Sequence, residues 1–190
     1  LAVKRSFDIV VSLFAIIILL PAFIAIAVAI RMDTPGPALF RQVRWGMHGK
    51  KIVVFKFRTM NASQCDASGV AQTVRNDPRT SRVGAVLRRT NLDELPQLFN
   101  VLLGDMSLVG PRCHVVGMLG GGVVYEALVP NYHARHAVRP GITGLAQMRG
   151  LRGPTDRKSL ARARVCADLY YVQHFNIWMD LVIIWRDRKS

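Results

Sequence analysis

A long apolar segment near the start of the chain, residues 9–30, limits what this sequence can fold into more than any other feature. Only Ser12 and Pro21 interrupt its apolar side chains. As a straight helix, its roughly 22 residues would extend about 33 Å, which is enough to cross the hydrocarbon core of a bilayer. Three interpretations are open: a cleaved signal peptide, a helix that spans the membrane, and a re-entrant helix that enters and leaves on one face.

The charged flanks of this segment bear on its topology. Basic residues lie at both ends of it: Lys4, Arg5, Arg31, Arg41 and Arg44. Because basic flanks favour the cytoplasmic side of a membrane, they place both ends there, which a spanning helix does not allow. Pro21, near the middle of the segment, removes a backbone donor and favours a kink. From these residues alone, the spanning and re-entrant topologies have equal weight.

The chain as a whole carries a strong excess of positive charge. Its 26 Lys and Arg outnumber 12 Asp and Glu, for a formal net charge of +14. This excess implies an anionic partner: nucleic acid, a phosphorylated substrate or an anionic membrane face. The arginine-rich segment at residues 75–89 has no aromatic side chains, which disfavours specific nucleic-acid binding. Three cysteines, with no Cys-x-x-Cys spacing, favour a reducing cytosolic setting.

Two segments rich in β-branched and aromatic residues, at 38–45 and 51–60, predict a β-hairpin. They flank the sequence Gly-Met-His-Gly, so the connection between them is a longer loop. Lys56 and Arg58 alternate with phenylalanines on the second segment and therefore share one face of the strand. That face is either simply solvated or directed at a phosphate.

An amphipathic helix is predicted from Leu95 onwards, because apolar residues recur at helical spacing as far as Leu103. Two adjacent carboxylates, Asp93 and Glu94, come just before it, and Thr90 or Asp93 is expected to cap its N-terminus. The helix dipole and nearby arginines would stabilise both ionised forms. Taken by itself, the acidic pair is either a capping pair or part of a phosphate-binding environment.

The C-terminal part of the chain contains a loop followed by an aromatic-rich segment. Residues 139–156 are punctuated by glycine and proline, so they either line a nucleotide site or serve as a connector. The last segment combines tyrosines and tryptophans with basic ends, which suits either a membrane interface or a packed helix. A length of 190 residues favours a single domain.

Five stretches, taken in order, resemble the motifs of one protein family. They are KRSFDIVVSLFAIIILLP, TPGPALFRQVRWGMHGKKIVVFKFRTM, NDPRTSRVGAVLRRTNLDELPQLFNVLLGDMSLVGPR, VRPGITGLAQMRG and ADLYYVQHFNIWMDLVII. Each stretch alone is a weak signal, whereas the five in sequence are specific and cover nearly the whole chain. Together they are similar to the bacterial sugar transferase family, the monotopic polyprenyl-phosphate phosphoglycosyl transferases.

The resemblance implies an activity. Members of the family transfer a phospho-sugar from a UDP-sugar to a polyprenyl phosphate, here undecaprenyl phosphate, and release UMP. By the match, Asp93 is the nucleophile that attacks the β-phosphate and forms an aspartyl phospho-sugar, while Glu94 ligates Mg²⁺. An ionised carboxylate is a competent nucleophile toward phosphorus, and Mg²⁺ suits a carboxylate beside a diphosphate. Residues 149–156 and 167–181 look most like members that use UDP-glucose, with UDP-galactose and UDP-N-acetylated sugars as alternatives.

Other positions match charged or polar family positions and are expected to bind substrate or phosphate. They are Lys56, Arg58, Arg88, Arg112, Arg139, Gln147 and Asp168. One departure is that Cys113 follows Gly-Pro-Arg, where the family usually has a proline.

The resemblance also implies a fold and a location. The expected fold is mainly α with a small β-hairpin (α+β), in a monotopic membrane protein with interfacial amphipathic helices. Residues 1–31 are expected to form a re-entrant helix kinked at Pro21. Residues 32–190 are expected to form a catalytic domain on the cytoplasmic face of the bacterial inner membrane. Phospholipid is an expected partner, specific nucleic acid is not, and a homo-oligomer is left open.

Two other classes of protein compete with an enzyme. One is a non-catalytic membrane scaffold that recruits polysaccharide enzymes, which the basic surface and the altered Gly-Pro-Arg-Cys turn favour. The other is a nucleic-acid-binding membrane protein, which only the net charge favours.

Overall fold

The computed structural model describes residues 2–61 and 77–187, which are rich in helix and contain three two-stranded sheets. The helices are α1 (Ala2–Asp33), α2 (Arg82–Thr90), α3 (Gln97–Leu103), α4 (Tyr125–Leu128), α5 (Leu145–Met148), α6 (Lys158–His174) and α7 (Ile177–Asp187). The strands are β1 (Leu39–Trp45), β2 (Lys51–Phe57), β3 (Ser107–Val109), β4 (Leu119–Gly120), β5 (Val123–Val124) and β6 (Gly141–Thr143). The predicted helix-rich fold is confirmed. Cys65 and the first residues of the arginine-rich segment lie outside the described part.

The apolar segment forms one helix, α1, which runs unbroken through Pro21. One stripe along it is buried against the rest of the protein: Asp8, Ser12, Ile16, Phe23 and Ile30. Its other faces expose large apolar side chains, and the helix is long and apolar enough to cross a membrane by length and composition. Such a surface suits contact with a membrane. The kink at Pro21 and the re-entrant path stay predictions.

Charged side chains fix the N-terminal end of α1 to the body of the protein. Lys4 donates from Nζ to Asp180 Oδ2 at 2.5 Å, which joins α1 to α7. The buried carboxylate of Asp8 accepts from Ser107 Oγ at 2.8 Å and from the backbone N–H of Leu108 at 3.1 Å, which joins α1 to β3. Because both oxygens of Asp8 are hydrogen-bonded, burial of this carboxylate is tolerated.

The C-terminal end of α1 is fixed to the same body. Asp33 Oδ2 accepts from the backbone N–H of Val83 at 3.0 Å, in the first turn of α2. Just beyond the helix, the Arg58 guanidinium donates to the carbonyls of Thr34 at 2.8 Å and Pro35 at 2.6 Å. Both ends of the apolar helix therefore contact one body of the protein.

The predicted β-hairpin is confirmed, with β1 and β2 paired antiparallel and Phe40 directly opposite Lys56. Asn100 of α3 binds the backbone of β2: its Nδ2 donates to the carbonyl of Val53 at 2.7 Å, and its Oδ1 accepts from the N–H of Phe55 at 2.9 Å. These bonds satisfy backbone groups of the strand that the hairpin partner leaves unpaired. They also fix α3 against β2.

The predicted capping of α3 is wrong. Thr90 is the last residue of α2, and Asn91 follows it in the left-handed region with φ 56°. Asp93 and Glu94 then lie in a separate 3-10 turn, and Pro96 takes the N-cap position of α3 without a side-chain hydrogen bond. Because Asn91 ends α2 and begins a new turn, the two carboxylates serve no cap and lie at the cavity described below.

A close approach between α2 and Thr59, two residues after the end of β2, sets the position of Arg88. A Cβ at Gly84 would lie 2.1 Å from the carbonyl oxygen of Thr59, whose Oγ1 accepts from Arg88 Nε at 2.8 Å.

Gly84→Ala should therefore lower the free energy of unfolding by about 2 kcal/mol or more, because the backbone must move. Denaturant unfolding in detergent measures this. Exposed Ala85→Ser is the control, and an unchanged midpoint in Gly84→Ala would contradict the packing.

The C-terminal third of the protein packs around the parallel pair of β3 and β6. A cluster of buried side chains joins β3 to α5, α6 and α7: Val109, Leu145, Ala146, Ala167, Tyr171 and Ile183. On the outside of α7, Trp178 and Trp185 are 75% and 60% exposed. Leu181 and Val182 on the same helix are also exposed, and this apolar surface suits the predicted interfacial helix.

Candidate active site

A cavity of about 880 Å³ gathers most of the predicted site residues. It lies between the β1–β2 hairpin, the turn Leu92–Glu94, the segment after β3 and the loop after α5. Eight predicted site residues line it: Lys56, Arg58, Arg88, Asp93, Glu94, Arg112, Gln147 and Asp168. Arg139 is not among the residues that line this cavity. Its Nε donates instead to the carbonyl of Gly104 at 2.9 Å, just after α3.

Glu94 is held between two cations. Its Oε1 accepts from Lys56 Nζ at 2.7 Å and from one terminal nitrogen of Arg112, and its Oε2 accepts from the other terminal nitrogen at 3.2 Å. Burial alone would raise the pKa of Glu94, but Arg112 and Lys56 outweigh burial and hold that pKa well below its usual range. Glu94 is therefore ionised at neutral pH and cannot serve as a proton donor there.

Asp93, the neighbouring carboxylate, lies in a different environment. Burial raises its pKa, Lys56 opposes that rise, and the negative charge of Glu94 adds to it. Arg88 and Arg112 also favour the ionised form. The two adjacent carboxylates thus differ in basicity: the ion-paired Glu94 is the weaker base and Asp93 is the stronger one.

A buried ion pair supports the backbone at Arg112. Arg135 donates from Nε and from a terminal nitrogen to Asp168 Oδ2, at 3.1 Å and 2.6 Å, and from that terminal nitrogen to the carbonyl of Arg112 at 2.5 Å. Arg135 and Asp168 are only 1% and 2% exposed. Sequence reasoning missed Arg135, since no periodicity or motif distinguishes it from the other arginines of the chain. Asp168 lines the cavity, whereas Arg135 is not among the residues that line it.

Arg58, Arg88 and Gln147 lie in the cavity wall with partners of their own. Arg58 is buried and donates to the carbonyls that follow α1, as described above, so phosphate binding by its guanidinium stays a prediction. Arg88 donates to Thr59. Gln147 donates from Nε2 to the carbonyl of Ile142 at 3.1 Å, while its buried Oε1 has no partner among the described protein atoms. That oxygen is a buried acceptor of the cavity wall without a described partner.

The loop after α5 is held at the mouth of the cavity by two arginines that sequence reasoning did not assign. Arg164 donates to the carbonyls of Leu151 and Gly153, both at 2.6 Å. Arg152 pairs with Asp187 at the end of α7, and Asp187 also accepts from Thr143 Oγ1 at 2.7 Å. The sequence showed only a Gly/Pro-rich loop here. It did not indicate these contacts, because the residues that form them are not neighbours in the sequence.

Asp93 and Glu94 fit a divalent cation that is bound jointly with a substrate's phosphate groups. Within residues 2–61 and 77–187, no group of three or more His, Cys, Asp or Glu side chains could hold a metal ion alone. Mg²⁺, however, commonly takes one or two carboxylates and completes its shell with phosphate oxygens and water. Glu94 Oε2 accepts a single described hydrogen bond, from Arg112, so it keeps lone-pair capacity for a metal.

The cavity and α1 together define a class of protein: a cavity that places an acidic pair among basic side chains, attached to an apolar helix suited to a membrane. The chain belongs to the bacterial sugar transferase family, whose family model matches residues 1–190.

Relatives of this chain carry names that concern polysaccharide synthesis. The chain is 63% identical to the exopolysaccharide production protein PSS of Rhizobium leguminosarum bv. phaseoli, over 97% of this chain and 92% of that protein. It is 47% identical to the UDP-glucose:undecaprenyl-phosphate glucose-1-phosphate transferase of Caulobacter vibrioides, over 98% of this chain and 68% of the relative. A protein of the same name from Escherichia coli is 46% identical over 96% of this chain, which spans 38% of that longer protein.

Proposed function

We propose that this chain is a UDP-sugar:undecaprenyl-phosphate sugar-1-phosphate transferase that moves glucose-1-phosphate and releases UMP, as the first membrane step of exopolysaccharide assembly. The observation that carries the proposal is the meeting of Asp93 and Glu94 with Lys56, Arg88 and Arg112 in one cavity. The names of the Rhizobium and Caulobacter relatives support both the reaction and its pathway. A 37% identical relative named for UDP-N-acetylgalactosamine keeps that sugar as an alternative.

In the first half-reaction, an ionised oxygen of Asp93 attacks the β-phosphorus of the UDP-sugar. A phosphorus–oxygen bond forms to the carboxylate, and the bond from that phosphorus to the oxygen bridging the two phosphates breaks. UMP leaves with the bridging oxygen, and the sugar phosphate remains on Asp93 as an acyl phosphate. The raised pKa of Asp93 makes it the better nucleophile of the acidic pair, provided the group is ionised.

In the second half-reaction, a phosphate oxygen of undecaprenyl phosphate attacks the same phosphorus. The bond to Asp93 breaks, the carboxylate is regenerated, and undecaprenyl diphospho-sugar is the product. Because the same carboxylate opens and closes the cycle, the kinetics should be ping-pong.

The surrounding cations of the cavity have distinct tasks in both steps. Arg112 uses its two terminal nitrogens on Glu94, yet a guanidinium has five N–H donors, so it can bridge Glu94 and a phosphate oxygen. Lys56 and Arg88 lie on the same cavity and oppose the charge of the diphosphate. When bound at Glu94, Mg²⁺ would supply further neutralisation of the diphosphate charge. Arg58, Arg139, Gln147 and Asp168 remain candidates for substrate contact or support.

The two anchored ends of α1 support a re-entrant topology. Lys4 and Asp8 bind one side of the body, and Asp33 binds the same body beside α2. A helix that crossed the bilayer would carry one of these ends away from a cytoplasmic domain. We therefore assign residues 1–31 to the membrane, and residues 32–190 to a catalytic unit on the cytoplasmic face of the inner membrane.

Single cysteines at Val3 and Met32, both well exposed, test this topology. In a background without the native cysteines, a membrane-impermeant maleimide applied to oriented vesicles should label both sites from the same side. Labelling from opposite sides would refute the re-entrant path.

The reaction itself is tested by a screen for UMP release. Purified protein with Mg²⁺, undecaprenyl phosphate and single UDP-sugars should release UMP fastest from UDP-glucose. Faster release from UDP-galactose or a UDP-N-acetylated sugar would change the proposed sugar. Absence of UMP with every UDP-sugar would reject the proposed reaction and favour a scaffold.

UMP release should depend on the ionisation of Asp93, and Lys56 sets part of that ionisation. Burial raises the pKa of Asp93, whereas Lys56 lowers it. Lys56→Met removes the lowering charge, so the acid limb of the kcat/KM profile should move to higher pH. The exposed Lys51→Met on the same strand is the control and should leave the profile in place. An acid limb of Lys56→Met that stays put or moves to lower pH would be inconsistent with this role.

A further inference from the structure

A second, apolar groove lies beside the catalytic cavity. It has a volume of about 790 Å³ and runs between the C-terminal half of α1 and the start of β1. Nine residues line it: Ile24, Ala27, Val28, Arg31, Pro37, Ala38, Leu39, Phe40 and Arg41. Seven of these nine side chains are apolar, and the two that are charged are both arginines.

The chemistry of the groove matches an apolar chain that carries an anionic group. Its α1 wall includes Ile24 and Val28, which are 59% and 51% exposed and belong to the surface suited to a membrane. Arg31 and Arg41 are exposed, so their charges remain available to an anion beside this apolar wall. The guanidinium of Arg41 lies 5.8 Å from the ring centroid of Phe55, which orients it without neutralising it.

One residue connects the groove to the catalytic cavity. Phe40 lines both of them. In the hairpin register it lies directly opposite Lys56, whose ammonium binds Glu94 at 2.7 Å. Directly opposed residues of an antiparallel pair project on the same face of the sheet. A chain lying in the groove would therefore pass Phe40 and arrive next to the acidic pair.

We propose that this groove holds the isoprenoid tail of the polyprenyl phosphate acceptor next to its phosphate. The inference rests on the proposed function, which requires a lipid phosphate to reach Asp93. An acceptor with one apolar chain and one terminal anion fits a single apolar groove that has cations at its edge and opens toward a phosphate-binding cavity. The isoprenoid chain contacts Phe40 where the groove meets the catalytic cavity. Arg31 and Arg41 attract the anionic group as the lipid enters.

Photo-crosslinking of the full-length protein in lipid nanodiscs tests the location. The probe is a polyprenyl phosphate with a diazirine on an isoprene unit close to the phosphate, and labelled peptides are mapped by mass spectrometry. Label within residues 24–41 that unlabelled polyprenyl phosphate displaces supports the proposal. Label confined to other parts of the chain overturns it. So does a diazirine phosphatidylglycerol probe that labels residues 24–41 and is not displaced by polyprenyl phosphate, because a bulk phospholipid then occupies the groove.

Matched variants give a kinetic test. Val28→Trp fills the groove and should raise the KM for undecaprenyl phosphate at least about tenfold. Val10→Trp places the same side chain on an exposed part of α1 outside the groove and should change that KM less than about twofold. Equal rises in both variants would mean that membrane contact in general was disturbed, and would overturn the proposal.

Arg41 also has a closely matched control. Arg41→Gln should raise the acceptor KM, whereas Arg149→Gln should not, although Arg149 is also exposed and also lies over an aromatic ring, at 5.6 Å from Tyr170. Equal effects in the two variants would contradict a specific role for Arg41.

The experiments distinguish failure of the lipid-groove proposal from failure of the proposed transferase reaction. UMP released from UDP-glucose without acceptor reports the first half-reaction alone. UMP formation together with crosslinks outside the groove rejects the groove only. Crosslinks within the groove without any UMP reject the proposed reaction and leave the lipid site standing.

Discussion

Asp93→Asn and Asp93→Ala are each expected to lower UMP release by at least about 10⁴-fold, the scale of loss found when an enzyme loses its nucleophile. The amide of asparagine is nearly isosteric with the carboxylate but is a poor nucleophile toward phosphorus. The alanine variant guards against slow deamidation of asparagine back to aspartate. Release of UMP from UDP-glucose, with and without undecaprenyl phosphate, measures the effect.

Control variants separate this loss from general damage. Asp156→Asn removes an exposed carboxylate and should retain nearly full activity. Glu94→Gln keeps the nucleophile but leaves Lys56 and Arg112 without their anionic partner, so activity should fall while the free energy of unfolding also changes. If Asp93→Ala kept more than about a tenth of the wild-type rate, Asp93 would not be the nucleophile.

Asp168→Asn is expected to cause the largest loss of stability, about 3–5 kcal/mol in the free energy of unfolding, because it leaves the Arg135 charge buried without an anion. Arg135 and Asp168 are nearly inaccessible, and Arg135 also binds the carbonyl of Arg112. Activity should fall together with stability, since the turn that carries Arg112 loses its support. Denaturant unfolding in detergent and UMP release measure the two effects.

A double variant distinguishes the structural task of this pair from a catalytic one. Arg135→Leu combined with Asp168→Leu removes both charges and should recover much of the stability lost in Asp168→Asn. It should not recover activity, because the carbonyl of Arg112 still lacks its donor. A double variant with wild-type activity would contradict the idea that Arg135 positions Arg112.

Local patterns of the sequence were sufficient for the elements that carry the site. The β-branched and aromatic residues of 51–60 predicted β2, and helical spacing after Leu95 predicted α3. The predicted cap of α3 was wrong because Asn91 adopts a left-handed conformation. Helix and strand propensities do not predict such a residue. Periodicity indicates which face of a helix or strand is apolar. It does not indicate which single residue ends a helix by adopting a left-handed conformation.

The site depended on information that periodicity does not carry. From the residues alone, Asp93 and Glu94 were either a capping pair or part of a phosphate-binding environment, and only the family resemblance implied separate roles for them. Their pKa values shift in opposite directions, because burial prevails at Asp93 while the neighbouring cations outweigh burial at Glu94. Lys56 and Arg58 were predicted to share one face of a strand, but β2 ends at Phe57. Arg58, just beyond it, binds carbonyls after α1, while Lys56 binds Glu94. The partners of such side chains lie far along the sequence, so only the tertiary structure distinguishes them.

The central claim is that a phospho-sugar is carried on Asp93, and intact-protein mass spectrometry tests it most directly. The protein is incubated with UDP-glucose and Mg²⁺ without acceptor, and its mass is measured before and after addition of undecaprenyl phosphate. We expect a gain of one phospho-hexose, mapped to Asp93 by peptide fragmentation, absent in Asp93→Ala and lost when acceptor is added. An adduct on another residue would contradict the covalent mechanism. So would rapid UMP release by wild-type protein whose mass never increases.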